Sequence, residues 1–123
     1  MKVLLSIKPE FAEKIFDGTK KYEFRRSVFK NPDVKTIVVY ASSPVQRVIG
    51  EFEVELILNH DLKTLWELTK ESAGITKQFF FDYFNNKNNG FAIKIKNTIK
   101  YKESLCLKSN FNATPPQSFM YIH

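Results

Sequence analysis

The sequence predicts an α+β fold in which short helices flank a sheet with a barrel-like wall. Three observations predict it. Residues 50–56 and 91–102 alternate apolar with polar side chains at the period of a strand. The stretches beginning at Pro9, Asp61 and Thr76 instead repeat apolar residues at helical spacing. The chain has 123 residues and is 43% hydrophobic, with twelve Phe and five Tyr, enough for one core and a single domain over residues 1–123.

In chain order, Val3 to Ile7 is a first strand. Pro9 opens a helix, because its missing amide proton would have no partner in a first turn. Phe11, Ala12, Ile15 and Phe16 form that helix's apolar stripe, with Glu10 and Lys14 outside at i, i+4 spacing. Gly18 closes it, since glycine accepts the left-handed conformation of a helix stop. From Tyr22 the pattern is a strand's: Tyr22 and Phe24 face inward, Glu23 and Arg25 the other way. Asn31-Pro32-Asp33 is a turn. Thr36–Ala41 is apolar without interruption, as for a strand covered on both faces, and Ser42-Ser43-Pro44 ends it.

Beyond Gly50, a bulge or point of close approach, Phe52, Val54 and Leu56 face inward against a row of Glu51, Glu53 and Glu55. Asp61 caps a helix reaching Lys70, with Leu62, Leu65, Trp66 and Thr69 along one side and Gly74 as its stop. Thr76 caps another, in which Phe79, Phe80, Tyr83 and Phe84 read as core packing in preference to a base-stacking platform. The loop 85–90 leads into a long strand, where Phe91, Ile93, Ile95, Ile99 and Tyr101 alternate with Lys94, Lys96, Thr98, Lys100 and Lys102. These lysines either track a phosphate backbone or, the preferred reading, pair with the glutamate row or solvate an edge. Thr114-Pro115-Pro116 breaks regularity before a final edge strand with Phe119, Tyr121 and Ile122.

The chemistry concentrates in Gly18-Thr19-Lys20-Lys21-Tyr22-Glu23-Phe24-Arg25, which reads G-x-K-x-x-E-x-R at a helix-to-strand junction. Fixed positive charge beside a hydrogen-bond acceptor suits a phosphate, a base edge or a polarised carbonyl. Lys20 sits at the carbonyl end of the helix, where it would partly neutralise the dipole. Placed in the turn, its stem can swing to the face of Glu23 and Arg25.

This segment, with Leu5-Ser6-Ile7-Lys8-Pro9, Tyr40-Ala41-Ser42-Ser43-Pro44, Gly50-Glu51-Phe52-Glu53 and Pro115-Pro116-Gln117-Ser118-Phe119, resembles a small prokaryotic subgroup of the ASCH domain family, within the PUA-like superfamily. The resemblance implies a PUA-like small mixed β-barrel of about five to six strands with about three flanking helices. It also implies an RNA-binding or modified-nucleoside-binding module for RNA processing or translation regulation, with Lys20, Glu23 and Arg25 lining a cleft between barrel and first helix. On that reading Lys20, Arg25 and Arg26 meet phosphate and Glu23 accepts from an amino group. Ser6, Lys8, Tyr40, Ser42 and Ser43 end strands that should open on the same cleft. Gln117 and Ser118 either read a base edge or cap a turn.

The alternative is a small hydrolase, a nucleoside amidohydrolase or ribonuclease. One ASCH branch removes an acyl group from a modified cytidine with the motif lysine, a threonine where this chain has Glu23, and a glutamate from the later helical region. Here Lys20 would hold an oxyanion, Glu23 would activate water, and Glu71 would be a second carboxylate. A lone Cys106 and the distant His60 and His123 point to no disulfide framework, metal site or cofactor. A net charge of +6 favours polyanionic partners. The N-terminus, broken by Lys8 and Pro9, suggests neither export nor a membrane span, hence a cytoplasmic protein; nothing identifies a protein partner.

Overall fold

A computed structural model describes residues 1–122; His123, one of the two histidines weighed as a metal ligand, lies outside the described residues. The elements run β1 (Lys2–Ile7), α1 (Pro9–Asp17), β2 (Tyr22–Arg25), β3 (Thr36–Ala41), β4 (Arg47–Asp61), α2 (Leu62–Thr69), a 3-10 turn (Lys70–Ser72), α3 (Lys77–Tyr83), β5 (Asn89–Leu105), α4 (Leu107–Phe111) and β6 (Phe119–Ile122). The described strands form one mixed sheet in the order β2-β5-β4-β3-β1-β6, with β1 and β3 parallel. The α+β class is as expected.

The sheet is not closed by strand pairing, because β2 and β6 end its order. A side chain spans the seam instead. Arg25 of β2 donates from Nη2 to the carbonyl of Ser118, just before β6, at 2.7 Å, and from Nη1 to the carbonyl of Ser6 in β1 at 3.4 Å. Charge-assisted bonds to backbone carbonyls thus stand where a ladder would otherwise close the wall.

Each helix starts as its sequence dictates. Pro9 is in the first turn of α1, Asp61 accepts from the Thr64 amide at 3.1 Å, and Thr76 accepts from the Phe79 amide at 3.1 Å. Ala12 and Ile15 of α1 pack with Val3, Leu5, Ile7, Phe52 and Ile93 on one side of the sheet. Leu65, Phe80 and Phe84 enclose Phe24 and Ala92 in a second cluster. Leu107 covers Leu4, Val38, Tyr40 and Val48 from the other side, which is why β3 is apolar along its length. Helix α4, which supplies Leu107, was not expected: five residues are too few for a periodic signal.

The alternation expected of both long strands breaks for one reason. Leu56 is 42% exposed and Ile99 is 58% exposed. The β4–β5 register slips between Val54 and Leu56 and between Phe52 and Val54, and each extra residue exchanges the two faces beyond it. After the first slip Ile57 takes the place in the core expected of Leu56. Gly50 is a point of close approach: a Cβ there would lie 2.5 Å from the Ile99 carbonyl oxygen and 2.5 Å from the Phe16 ring. The glutamate row meets mixed partners, Lys94 for Glu55 at 2.9 Å, Tyr101 for Glu51 at 2.8 Å and Asn97 for Glu53 at 3.4 Å. The exposed Lys94–Glu55 pair contributes little to stability.

Candidate functional site

Helix α1 ends on Gly18 at φ +87, and the Lys20 amide then bonds back to the Lys14 carbonyl at 3.0 Å. The Lys21 amide bonds to Ser72 at 2.9 Å, and the Lys21 carbonyl accepts from the Ile95 amide at 3.0 Å. Anchored on both sides, Lys20 cannot trail into solvent, and it is only 2% exposed. Its Nζ donates to the Ala73 carbonyl at 2.8 Å and lies 4.7 Å from the centre of the Phe24 ring and 5.4 Å from that of Phe11. A ring face attracts a cation, and more so where water is excluded. Lys14, in the last turn of α1, places a second cation near that helix's carbonyl end, and its Nζ reaches the Gly74 carbonyl at 3.1 Å.

Glu23, 6% exposed, accepts from Arg25 Nη1 at 3.2 Å through Oε2. Burial raises its carboxyl above the usual range, against the opposing charges of Lys20 and Arg25. Burial likewise lowers Lys20 to about 8, with Glu23 pulling upward and Lys14 downward. An acid made weaker and an ammonium made stronger as an acid approach each other in proton affinity, as in sites that exchange protons near neutral pH.

These groups surround a cavity of about 260 Å³. Ser6, Lys8, Lys20, Glu23, Arg25 and Gln117 line it, drawn from β1 and the residue after it, the α1–β2 junction, β2 and the segment before β6. Ser6 Oγ donates to the Pro116 carbonyl at 3.0 Å, which ties that segment to β1. Other candidates lie elsewhere. Tyr40 is buried in the cluster under α4, because β3 turns that side chain away from the cavity. Ser42 and Ser43 belong to the turn after β3, where the Ser42 amide bonds to Ile7. Ser118 contributes its carbonyl to Arg25, while its hydroxyl is 3.4 Å from that of Ser27. Arg26 points away and donates to the Tyr83 and Asn85 carbonyls at 2.8 Å each. Glu71 is exposed on the 3-10 turn and is not among the lining residues.

The remaining wall is apolar and aromatic: Phe11, Phe24, Ile75, Phe79 and Tyr83. Helix α3 presents two adjacent rows, Phe80 and Phe84 to the core and the half-buried Phe79 and Tyr83 to the cavity. The i, i+4 spacing of Phe79 and Tyr83 was the available signal, although spacing alone does not say which row meets a cavity. Phe11 meets Phe79 edge to face at 5.1 Å, so the wall joins α1 to α3.

Gly74, at φ +70, supports the lysine from behind: a Cβ there would lie 2.5 Å from Lys20 Cβ and 2.6 Å from its Cγ. Gly74→Ala is therefore expected to lower stability by about 1–3 kcal/mol, by combining left-handed strain with displacement of the Lys20 stem. Denaturant unfolding measures this, and a loss below about 0.5 kcal/mol would contradict the packing described.

The sequence model of the ASCH domain family matches residues 5–104. An ASCH domain-containing ribonuclease from Zymomonas mobilis is 32% identical over 124 residues, covering 97% of this chain and 82% of that protein. The ATP synthase subunit alpha of Ureaplasma parvum is 31% identical over 121 residues, or 98% of this chain, yet the chain spans only 15% of that subunit's length. Among solved structures, the crystal structure of ASCH from Zymomonas mobilis superposes with a TM-score of 0.90 at 31% identity, covering 99% of this chain and 87% of that one.

Proposed function

The chain belongs to the ASCH domain family, and from that membership we propose that it binds single-stranded RNA, takes one base or modified nucleoside into the cavity, and hydrolyses the strand there. The observation that carries the proposal is that the buried Lys20 and Glu23 both line an aromatic-walled cavity of about 260 Å³. That volume is just below the about 300–1,000 Å³ of drug-sized ligand pockets, which suits one nucleobase and excludes a duplex. Phe79 and Tyr83 supply the stacking surface that unpaired bases prefer. The ribonuclease name of the Zymomonas mobilis relative supports the choice of substrate.

The geometry supports a specific chemistry. Arg25 holds Oε2 of Glu23, and among the described residues Oε1 has no protein donor. Glu23 takes a proton from an attacking water, whose oxygen bonds to phosphorus as the bond to the leaving ribose oxygen breaks. Lys20, with its proton loosened by burial, returns a proton to that oxygen. Arg25, tied to Ser6, Ser118 and Glu23, orients the base and holds the seam beside it.

A second reading is removal of an acyl group from a modified cytidine by the same pair, favoured by a cavity sized for one nucleoside. A paired experiment separates them: binding of single-stranded RNA across a salt series, and turnover of RNA and of acylated cytidine. Saturable binding that weakens with salt, with RNA cleavage at least about 100-fold slower in Glu23→Gln, is expected. Cleavage unaffected by Glu23→Gln, or no RNA bound at any salt concentration, would overturn the proposal; turnover of acylated cytidine alone would establish the second reading.

A further inference from the structure

A second, more open concavity of about 510 Å³ is lined by Arg26, Asn59, Lys87, Phe91 and the asparagines at 86, 88 and 89. Its placement follows from the sheet. Arg25 in β2 is opposite Phe91 in β5, and Phe91 is opposite Asn59 in β4. Directly opposed residues of antiparallel strands share a face, so this row leads from the cavity into the concavity. At about 4.8 Å per strand, the step from Arg25 to Asn59 is about 10 Å. The two hollows share a hinge point: Tyr83 lines the cavity, and its carbonyl is held by Arg26, which lines the concavity.

The chemistry of the lining is specific. Asn59, Asn86, Asn88 and Asn89 are all exposed, and each amide offers both a donor and an acceptor, the complement of a base edge. Lys87 and Arg26 add two positive charges, and no carboxylate is among the described lining residues. Half-buried Phe91 supplies a ring on which a base can stack. A metal would want carboxylates and a lipid an apolar floor; amides, cations and one ring match a nucleotide.

Resting on the reading of the cavity as the site for one base, we propose that this concavity is the subsite for the adjacent nucleotide of a single-stranded RNA, with Lys87 on its phosphate and Asn59 and Asn88 on its base edge. The strand then passes over Arg25 and Arg26 from one hollow to the other, and the protein binds a short oligonucleotide more tightly than a mononucleotide.

Equilibrium binding of the four ribonucleoside monophosphates and of single-stranded trinucleotides with non-hydrolysable phosphonate linkages tests this, using the wild-type chain, Lys87→Ala and the Asn59→Ala/Asn88→Ala double variant. All three positions are exposed, so the fold is kept. The wild type is expected to bind trinucleotides about tenfold or more tighter than monophosphates, and each variant to lose most of that gain while keeping its monophosphate affinity. Trinucleotide affinity unchanged in both variants, or monophosphate affinity lost in equal measure, would overturn the subsite and leave the cavity's role standing. Failure of the wild type to bind either probe would remove the subsite together with the reading on which it rests.

Discussion

Lys20→Met is expected to make the protein more stable and to abolish its chemistry. Methionine keeps the apolar stem packed between Phe24, Phe11 and Gly74 and removes the buried charge together with its hydrogen bond to the Ala73 carbonyl. That charge is a burden on the fold. Burial lowers the ammonium from 10.5 to about 8, so between those values the unfolded chain binds more protons than the folded one. Wild-type stability therefore rises with pH through that window, and below about pH 8 the fold carries the full penalty. At about 1.36 kcal/mol per pH unit, the penalty is about 3 kcal/mol as an order of magnitude. Denaturant unfolding at pH 7 should show Lys20→Met gaining about 1 kcal/mol, the charge penalty less the cost of leaving the Ala73 carbonyl without its donor, with loss of the rise above pH 8. RNA cleavage should fall by about 100-fold to 10,000-fold. A variant that is destabilised and still cleaves would show that Lys20 is a structural residue.

The opposite trade is expected at Phe80→Ala, which should lower stability by about 3–5 kcal/mol. Phe80 is fully buried and meets four rings, Phe24 at 5.2 Å, Trp66 at 5.1 Å, Phe81 at 5.0 Å and Phe84 at 4.9 Å between centroids. Its removal leaves a void where α2, α3 and β2 converge, and aromatic edge-to-face contacts are lost with the area. Since α3 also carries Phe79 and Tyr83, ligand affinity should weaken in the molecules that remain folded. Phe79→Ala, on the adjacent row, is expected to spare stability by comparison and weaken RNA binding by about 1–3 kcal/mol. Denaturation and binding measured on both variants check the division of the two rows, and equal stability losses would contradict it.

The motif from Gly18 to Arg25 was legible because its geometry is local: a left-handed glycine, a short turn and a strand whose parity puts Glu23 beside Arg25. The position of Lys20 between α1 and β2 is equally local, but its burial is not. That burial depends on Ala73 and Gly74, more than fifty positions away, folding over its stem. Tyr40 shows a different limit. In a strand covered on both faces, alternation no longer distinguishes one side from the other, and the cover over Tyr40 is the five-residue α4. The exposed Leu56 shows a third, because a single bulge inverts every later side chain while leaving the alternating pattern intact. The open seam was equally hidden, since a guanidinium bonding to distant carbonyls leaves no periodic trace.

The dependence of kcat/KM for RNA cleavage on pH tests the paired roles of Lys20 and Glu23 most directly. With Glu23 as base and Lys20 as acid, the profile is a bell: an acidic limb above the ordinary carboxylate range, where Glu23 must lose its proton, and a basic limb near pH 8, where Lys20 loses its own. A rate that stays level through pH 8 and into the range of an ordinary lysine would contradict the assignment of Lys20 as the proton donor.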